Sequence, residues 1–304
     1  MRCKICDTEN EDFHYILRNS KVYRCKNCNL HYSNFLDEGF NSSGNNDDVL
    51  DDELRDYLRH QLQNNEERFT NQVKISSEYL KNIDSPKILD VGIGGGLFLS
   101  LMSKTENKPK CYGIELDVKR LQFAKEEYGL ENIFSLPIQD EYWVNNHEGS
   151  FDLITLWDVI EHVNSPKEIF ESANRLLNQG GVLIMDTPCR DTFYHRMGQF
   201  TYKISQGRYP TFLNIMYSNH PFGHKQILSK NDVNSLCKLS GHELVYMKVF
   251  HELSFPIKFY TEKMFNNRVL SSLVNPTAEV MLKLLRIKNK MLFVAKKRQL
   301  TQGA

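Results

Sequence analysis

Short unbroken apolar runs alternate along the chain with amphipathic stretches, the pattern expected of parallel strands joined by crossover helices. Ile88, Leu89 and Val91 make one run, Leu97, Phe98, Leu99, Leu101 and Met102 begin a helix with an apolar face, and Gly92, Gly94, Gly95 and Gly96 stand between them. Pro86–Met102 therefore reads as strand, glycine-rich turn and helix. Lys110–Leu116 and Glu131–Ile138 repeat the strand pattern, with a helix over Lys119–Tyr128 between them. Ser150–Leu156 and Val182–Asp186 follow as strands around a helix at Lys167–Leu177, whose start is set by Ser165-Pro166. Ser229–Ser240 reads as a helix capped by Ser229 and ended by Gly241, and His242–Phe250 as a sixth strand. Ahead of all these, Glu53–Asn82 is helical in pattern; Tyr57 within it is expected to be a core aromatic or else to border a pocket.

Composition narrows the class. A chain of 304 residues exceeds the usual ~100–200 of one domain, so a core with a smaller appendage is expected. Basic and acidic residues balance at 38 each, which gives no global bias toward nucleic acid or an anionic surface. Locally Asp37–Asp56 is acidic and Lys263–Arg298 is basic. No run approaches ~20 apolar residues and the N-terminus has no signal-peptide core, so neither a membrane span nor export is expected, and the cytoplasm is the expected location.

Four of the seven cysteines form a pattern: Cys3-x-x-Cys6, 18 residues, then Cys25-x-x-Cys28. Each pair places two thiolates on one knuckle, and two knuckles complete a tetrahedral site suited to Zn2+. The alternative, disulfides, needs an oxidising compartment for which nothing in the sequence speaks. Four sulfurs close the shell, which makes the site structural and His14 and His31 non-ligands. Leu36–Asp52, rich in Asn, Ser, Gly and Asp, reads as a connector.

The glycine loop has its own chemistry. A dinucleotide fingerprint would need glycine at Leu97; instead Asp90 to Gly96 reads DVGIGGG, and Glu115 follows Gly92 by 23 residues at the end of the next apolar run. A carboxylate there can accept two hydrogen bonds from a ribose diol. With DVGIGGG, GIELD (Gly113–Asp117), FDLITLWDVIEHV (Phe151–Val163) and GGVLIMDTP ending at Pro188, the chain resembles the class I S-adenosylmethionine-dependent methyltransferases over roughly residues 75 to 250. The resemblance implies an α/β, doubly wound seven-stranded sheet (a Rossmann-like methyltransferase fold) closed by an antiparallel strand, for which Lys290–Lys297 is the candidate. A small zinc ribbon precedes it.

It also implies site residues. Asp90, Gly92, Gly94 and Gly96 are expected around the amino-acid end of S-adenosylmethionine, and Glu115 at its ribose. Asp140 is expected near the adenine, with a solvated acid as the equal alternative. Trp157, at the carboxyl end of a strand, is read as a wall beside the sulfonium or as a packing tryptophan. His162 has the right ordinary pKa to take a proton from a hydroxyl acceptor, or else orders its loop. The aromatic, histidine-rich stretch from Cys189 to Gln226 reads as a lid over the acceptor, in which His220 or His224 acts as base, orients a hydroxyl or holds the lid. The basic Pro256–Asn289 stretch is expected either to meet phosphate, a nucleotide-linked acceptor or an anionic membrane surface, or to be an amphipathic packing helix.

The expected organisation is a ribbon at 1–35, a linker at 36–52, helices at 53–82, a core at 83–250 with its lid at 189–226, an insertion at 251–289, and a last strand and tail at 290–304. The expected function is methyl transfer to oxygen on a small-molecule or sugar-type acceptor, since ribbon and domain together resemble enzymes of bacterial polysaccharide and secondary-metabolite pathways. An RNA methyltransferase reading through its ribbon is the alternative, disfavoured by the neutral charge. A non-catalytic cofactor-binding scaffold is the third reading.

Overall fold

The computed structural model describes residues 1–36, 50–217, 223–252, 257–258, 261–262, 268–285 and 287–298. The N-terminal part forms β1 (Phe13–Ile16), β2 (Lys21–Arg24) and β3 (His31–Ser33). Two helices follow, α1 (Asp52–Asn64), with Asp51 accepting from the Leu54 N–H as its cap, and α2 (Glu66–Leu80). The core then runs β4 (Lys87–Val91), α3 (Leu97–Ser103), β5 (Lys110–Ile114), α4 (Val118–Tyr128), β6 (Ile133–Phe134), α5 (Glu141–His147), β7 (Phe151–Trp157), α6 (Pro166–Leu176) and β8 (Leu177–Pro188). Beyond it come α7 (Phe193–Ile204), α8 (Thr211–Met216), β9 (Gln226–Ile227), α9 (Lys230–Leu239), β10 (His242–Phe250), α10 (Arg268–Leu285) and β11 (Lys290–Lys297).

Seven strands form one sheet in the order β10-β11-β8-β7-β4-β5-β6, parallel between β8 and β6, with β11 antiparallel to both its neighbours. The last strand thus occupies the expected place. Ile88, Leu89 and Val91 of the central β4 are buried because helices cover both faces. The strand order reverses beside β4, and there the carboxyl ends of β4, β5 and β7 open a crevice.

Several boundaries differ from the sequence reading, each for a local reason. The strand expected over Glu131–Ile138 is only Ile133–Phe134, and past it Asp140 caps a helix that the apolar pattern did not announce. The stretch read as a lid carries two helices among its described residues, with Gly198 of α7 packed against Leu213 of α8. Tyr57 is not a core aromatic: it is 53% exposed, and Leu58 and Leu62 carry the buried face of α1.

The second sheet has the order β1-β2-β3-β9, antiparallel throughout. Its fourth strand, Gln226–Ile227, lies at the end of the stretch read as a lid, so the sheet of the N-terminal module is completed by residues of the core chain. Cys3, Ile5, Cys25, Leu30 and Tyr32 accordingly share one apolar cluster with Ile160, Leu228 and the main core.

Candidate functional site

The crevice is shaped first by the glycine loop. Gly92, Gly94 and Gly96 all take positive φ, of 77°, 56° and 85°, where a side chain is strained. A Cβ at Gly92 would also lie 2.6 Å from Val159 Cγ2, and one at Gly95 would lie 2.7 Å from Leu62 Cδ1. The loop is therefore pressed between the segment after β7 and helix α1. The Gly94 N–H donates to Glu115 Oε2 at 2.8 Å and the Asp117 N–H to Oε1 at 3.0 Å, which fixes the carboxylate at the rim of the loop. Burial raises the pKa of Glu115 against these hydrogen bonds.

Asp90 is buried at the end of β4 and accepts from Thr155 Oγ1 at 2.7 Å. Burial, with the Glu115 charge acting against the Thr155 hydrogen bond, pushes it up to about 8. Asp140 accepts from the Tyr142 N–H at 2.8 Å and so is engaged as the cap of α5. Trp157 is buried edge-on against Phe98 at 5.4 Å, in a cluster with Leu80, Ile88 and Met102, and its indole N–H is buried without a partner.

Beyond β7 the chain turns at Asp158, whose φ is 54°, and brings Glu161 and His162 up to His224. One ligand-type atom from each of the three lies within 4.8 Å of the others, and the two imidazoles are 5.0 Å apart. His162 Nδ1 lies 3.2 Å from the Gly223 carbonyl and His224 Nδ1 lies 2.9 Å from that of Met216. A carbonyl can only accept, so each ring carries a proton on Nδ1. Burial and the neighbouring His162 hold His224 down to about 4, leaving it a neutral imidazole at neutral pH. The Glu161 carboxyl accepts from Thr187 Oγ1 at 3.0 Å, and burial beside Asp158 raises it well above the carboxylate range. His220 lies outside the described residues.

Under this loop sits a buried ion cluster that the sequence reading missed. Asp158 meets Arg68 Nη2 and Lys290 Nζ, each at 2.6 Å. Lys290 also reaches Asp186 at 3.2 Å and Glu252 at 2.9 Å. Arg68 and Lys290 hold Asp158 well below the usual carboxylate range despite its burial. Lysine opening the apolar run KMLFVAKK and aspartate closing GGVLIMD were the available signals, but no spacing joins residues 68, 158, 186, 252 and 290.

Cys3, Cys6, Cys25 and Cys28 converge with all four sulfurs within 4.8 Å, the Cys3–Cys28 and Cys6–Cys25 sulfurs being 3.5 Å apart. Zinc–sulfur bonds of ~2.3 Å in a tetrahedron require about 3.8 Å between sulfurs, so the set fits such an ion. The Asn27 and Cys28 N–H groups point at Cys25 Sγ at 3.4 Å, as a thiolate requires. Cys3 is lowered to about 5 by its Cys28 partner, which is raised in turn. None of the four is in a disulfide. His14 and His31 are not among the four; they pack with His195 between β1, β3 and α7, where burial holds His14 down to about 4 and His195 to about 3.

A sequence-family model described as a methyltransferase domain matches residues 56–246. The ubiquinone biosynthesis O-methyltransferase of Psychrobacter arcticus is 32% identical over 105 residues, 33% of this chain and 40% of that protein. The malonyl-[acyl-carrier protein] O-methyltransferase of Legionella pneumophila is 31% identical over 116 residues, 38% of this chain and 40% of that one. The match thus spans less than half the length of these curated relatives. The crystal structure of geranyl diphosphate C-methyltransferase from Streptomyces coelicolor A3(2) shares the fold, with a TM-score of 0.51 at 16% identity over 82% of this chain and 87% of that one.

Proposed function

This chain belongs to the methyltransferase-domain family, and on that premise we propose that it transfers a methyl group from S-adenosylmethionine to a hydroxyl oxygen of a small-molecule or sugar-type acceptor. One observation carries the oxygen assignment: two imidazoles, His162 on the loop after β7 and His224 ahead of β9, stand together, each anchored through Nδ1 on a main-chain carbonyl, next to the strand ends that bear the glycine loop and Glu115. The names of the relatives support it, since both act on oxygen.

Gly92, Gly94 and Gly96 would receive the amino-acid portion of the cofactor, and Glu115, prefixed by two main-chain N–H groups, its ribose diol. Bound S-adenosylmethionine supplies an electrophilic methyl carbon on a sulfonium, so the chain's own task is alignment. His224 takes the acceptor's proton on Nε2 while the acceptor oxygen takes the methyl group, and its Nδ1–H stays anchored on Met216. His162, anchored on Gly223 and faced by Glu161 at 3.9 Å, orients the acceptor. Trp157 serves the pocket as a packed floor. The four-cysteine cluster holds Zn2+ in a structural role.

The deciding experiment incubates the protein with methyl-labelled S-adenosylmethionine and a panel of nucleotide sugars, glycans, small phenols and RNA. Label in a small hydroxyl compound that is lost in His224→Gln supports the reading. Label only in RNA, or cofactor binding without turnover on any acceptor, overturns it.

A further inference from the structure

The four-cysteine module does more than sit beside the acceptor loop. Lys4 stands between Cys3 and Cys6, is buried to 8% exposure, and its Nζ donates to Gln226 Oε1 at 3.1 Å. An ammonium this deep needs such an acceptor. At its other end the Gln226 amide donates from Nε2 to the Ile160 carbonyl at 2.6 Å and to the Val163 carbonyl at 3.0 Å. These two carbonyls bracket Glu161 and His162.

The main chain runs in parallel with this relay. Tyr32 and His31 of β3 pair with Gln226 and Ile227 of β9, and the Ser33 N–H donates to the Lys225 carbonyl at 2.6 Å. The Lys225 N–H then donates to the Glu161 carbonyl at 2.8 Å, and its Nζ to the His162 carbonyl. Gly223, whose carbonyl holds His162, and His224 itself stand directly ahead of these residues in the chain. Every one of these links passes through residues 223–227.

We propose that Lys4 and Gln226 are positioning residues of the acceptor site, and that metal occupancy of the cysteine cluster sets the geometry of Glu161, His162 and His224 while leaving the glycine loop untouched. The inference rests on the acceptor-site reading given above. The Cys3–Cys6 knuckle that aims Lys4 is a tight turn whose two sulfurs an ion would tie to those of Cys25 and Cys28, so its geometry depends on that ion even though the ribbon packs on the main core. Loss of the ion releases Lys4, then the Gln226 amide, then the two carbonyls around the histidine loop. Among the described residues no hydrogen bond of this path ends on Gly92–Gly96 or Glu115, whose hydrogen bonds are made with Ile114, Asp117, Phe134 and the loop itself; the path meets the loop only through the packing of Val159 on Gly92.

The test uses the full chain loaded with Zn2+, the same protein stripped by a chelator, and the zinc-loaded variants Lys4→Met, Gln226→Leu and Lys4→Arg. Amide hydrogen exchange is followed in 159–164, 223–228 and 88–96, with S-adenosylmethionine affinity by calorimetry and bound zinc by atomic absorption. Stripping, Lys4→Met and Gln226→Leu are expected to speed exchange in 159–164 roughly tenfold while 88–96 and cofactor affinity hold within about twofold. Lys4→Arg restores protection, and Lys4→Met retains its zinc. Unchanged protection of 159–164 in the stripped protein, or in both Lys4→Met and Gln226→Leu, overturns the proposal, as does parallel loss of cofactor affinity on stripping. An intact protein that binds no S-adenosylmethionine would sink the cofactor assignment instead, and the exchange result would stand by itself.

Discussion

The two sides of the crevice are built in opposite ways. On the cofactor side the decisive hydrogen bond, from the Gly94 N–H to Glu115, joins residues 21 apart in sequence; on the acceptor side the bond from Lys4 to Gln226 joins residues 222 apart. A site made from one strand–loop–helix–strand unit is assembled as soon as that unit folds. A site made from the N-terminus, the loop after β7 and a two-residue strand exists only when the whole chain is in place. The first can be a general device for one cofactor, whereas the second is free to be fitted to a particular acceptor.

The sharpest way to break this contrast is at the base. His224→Gln should lower turnover by about 10²–10⁴-fold, the usual range for a lost general base, with cofactor affinity unchanged in calorimetry; a comparable fall in affinity would mean that the two sides are one. Glu115→Ala should do the reverse and weaken S-adenosylmethionine binding by about 100-fold, since two or more strong hydrogen bonds to a ribose diol are lost. The exchange pattern of residues 159–164 should stay as in the parent protein.

Acid supplies the third test. His14 and His224 are held to about 4 and His195 to about 3 against an ordinary 6.5, so between pH 6.5 and 4 the unfolded chain binds more protons than the folded one. Stability from these groups is complete above pH 6.5 and is lost as the pH falls toward 4. Asp90 runs the other way, because a folded value of about 8 above the ordinary 3.8 makes its contribution decline as the pH rises from 4 to 8. Acidification from pH 7 to 5 should therefore loosen exchange in β1, α7 and residues 223–228 before 88–96. Asp90→Asn, which keeps an acceptor for Thr155, should flatten the decline on the alkaline side, as read from melting temperatures across that range. The smallest effect belongs to Ser229→Ala: removing the capping box of α9, in which Ser229 and Asp232 cap each other, should cost about 1 kcal/mol in denaturant unfolding.

This contrast also explains what could be read in advance. Glycines at positive φ, an acidic residue closing an apolar strand, and cysteines in paired knuckles are local rules, and they were visible in DVGIGGG, GIELD and the Cys-x-x-Cys pairs. His162 and His224 could be singled out, but only the folded chain brings them within 5.0 Å. Gln226, Arg68 and Lys290 act through partners 38 to 222 residues away, from Lys290 to Glu252 at 38 through Gln226 to Ile160 at 66 and Arg68 to Asp158 at 90 to Gln226 to Lys4 at 222, and no periodicity encodes such a pairing. Asp140 shows a local signal that was not read, since a polar residue near a strand end also caps a helix start. Tyr57 was misassigned because helical spacing identifies a face but not its edge, and Leu58 next to it took the buried position.

The short β9 has a practical consequence for anyone dissecting this protein. Because Gln226–Ile227 complete the sheet begun by β1–β3, the frontier suggested by composition is not a seam along which the chain can be cut. A fragment beginning at residue 50 would expose the unpaired edge of that strand and the emptied amide of Gln226, inviting self-association. Calorimetry of the intact chain should accordingly record a single melting endotherm, and a ribbon transplanted from another protein would have to bring its own matching strand.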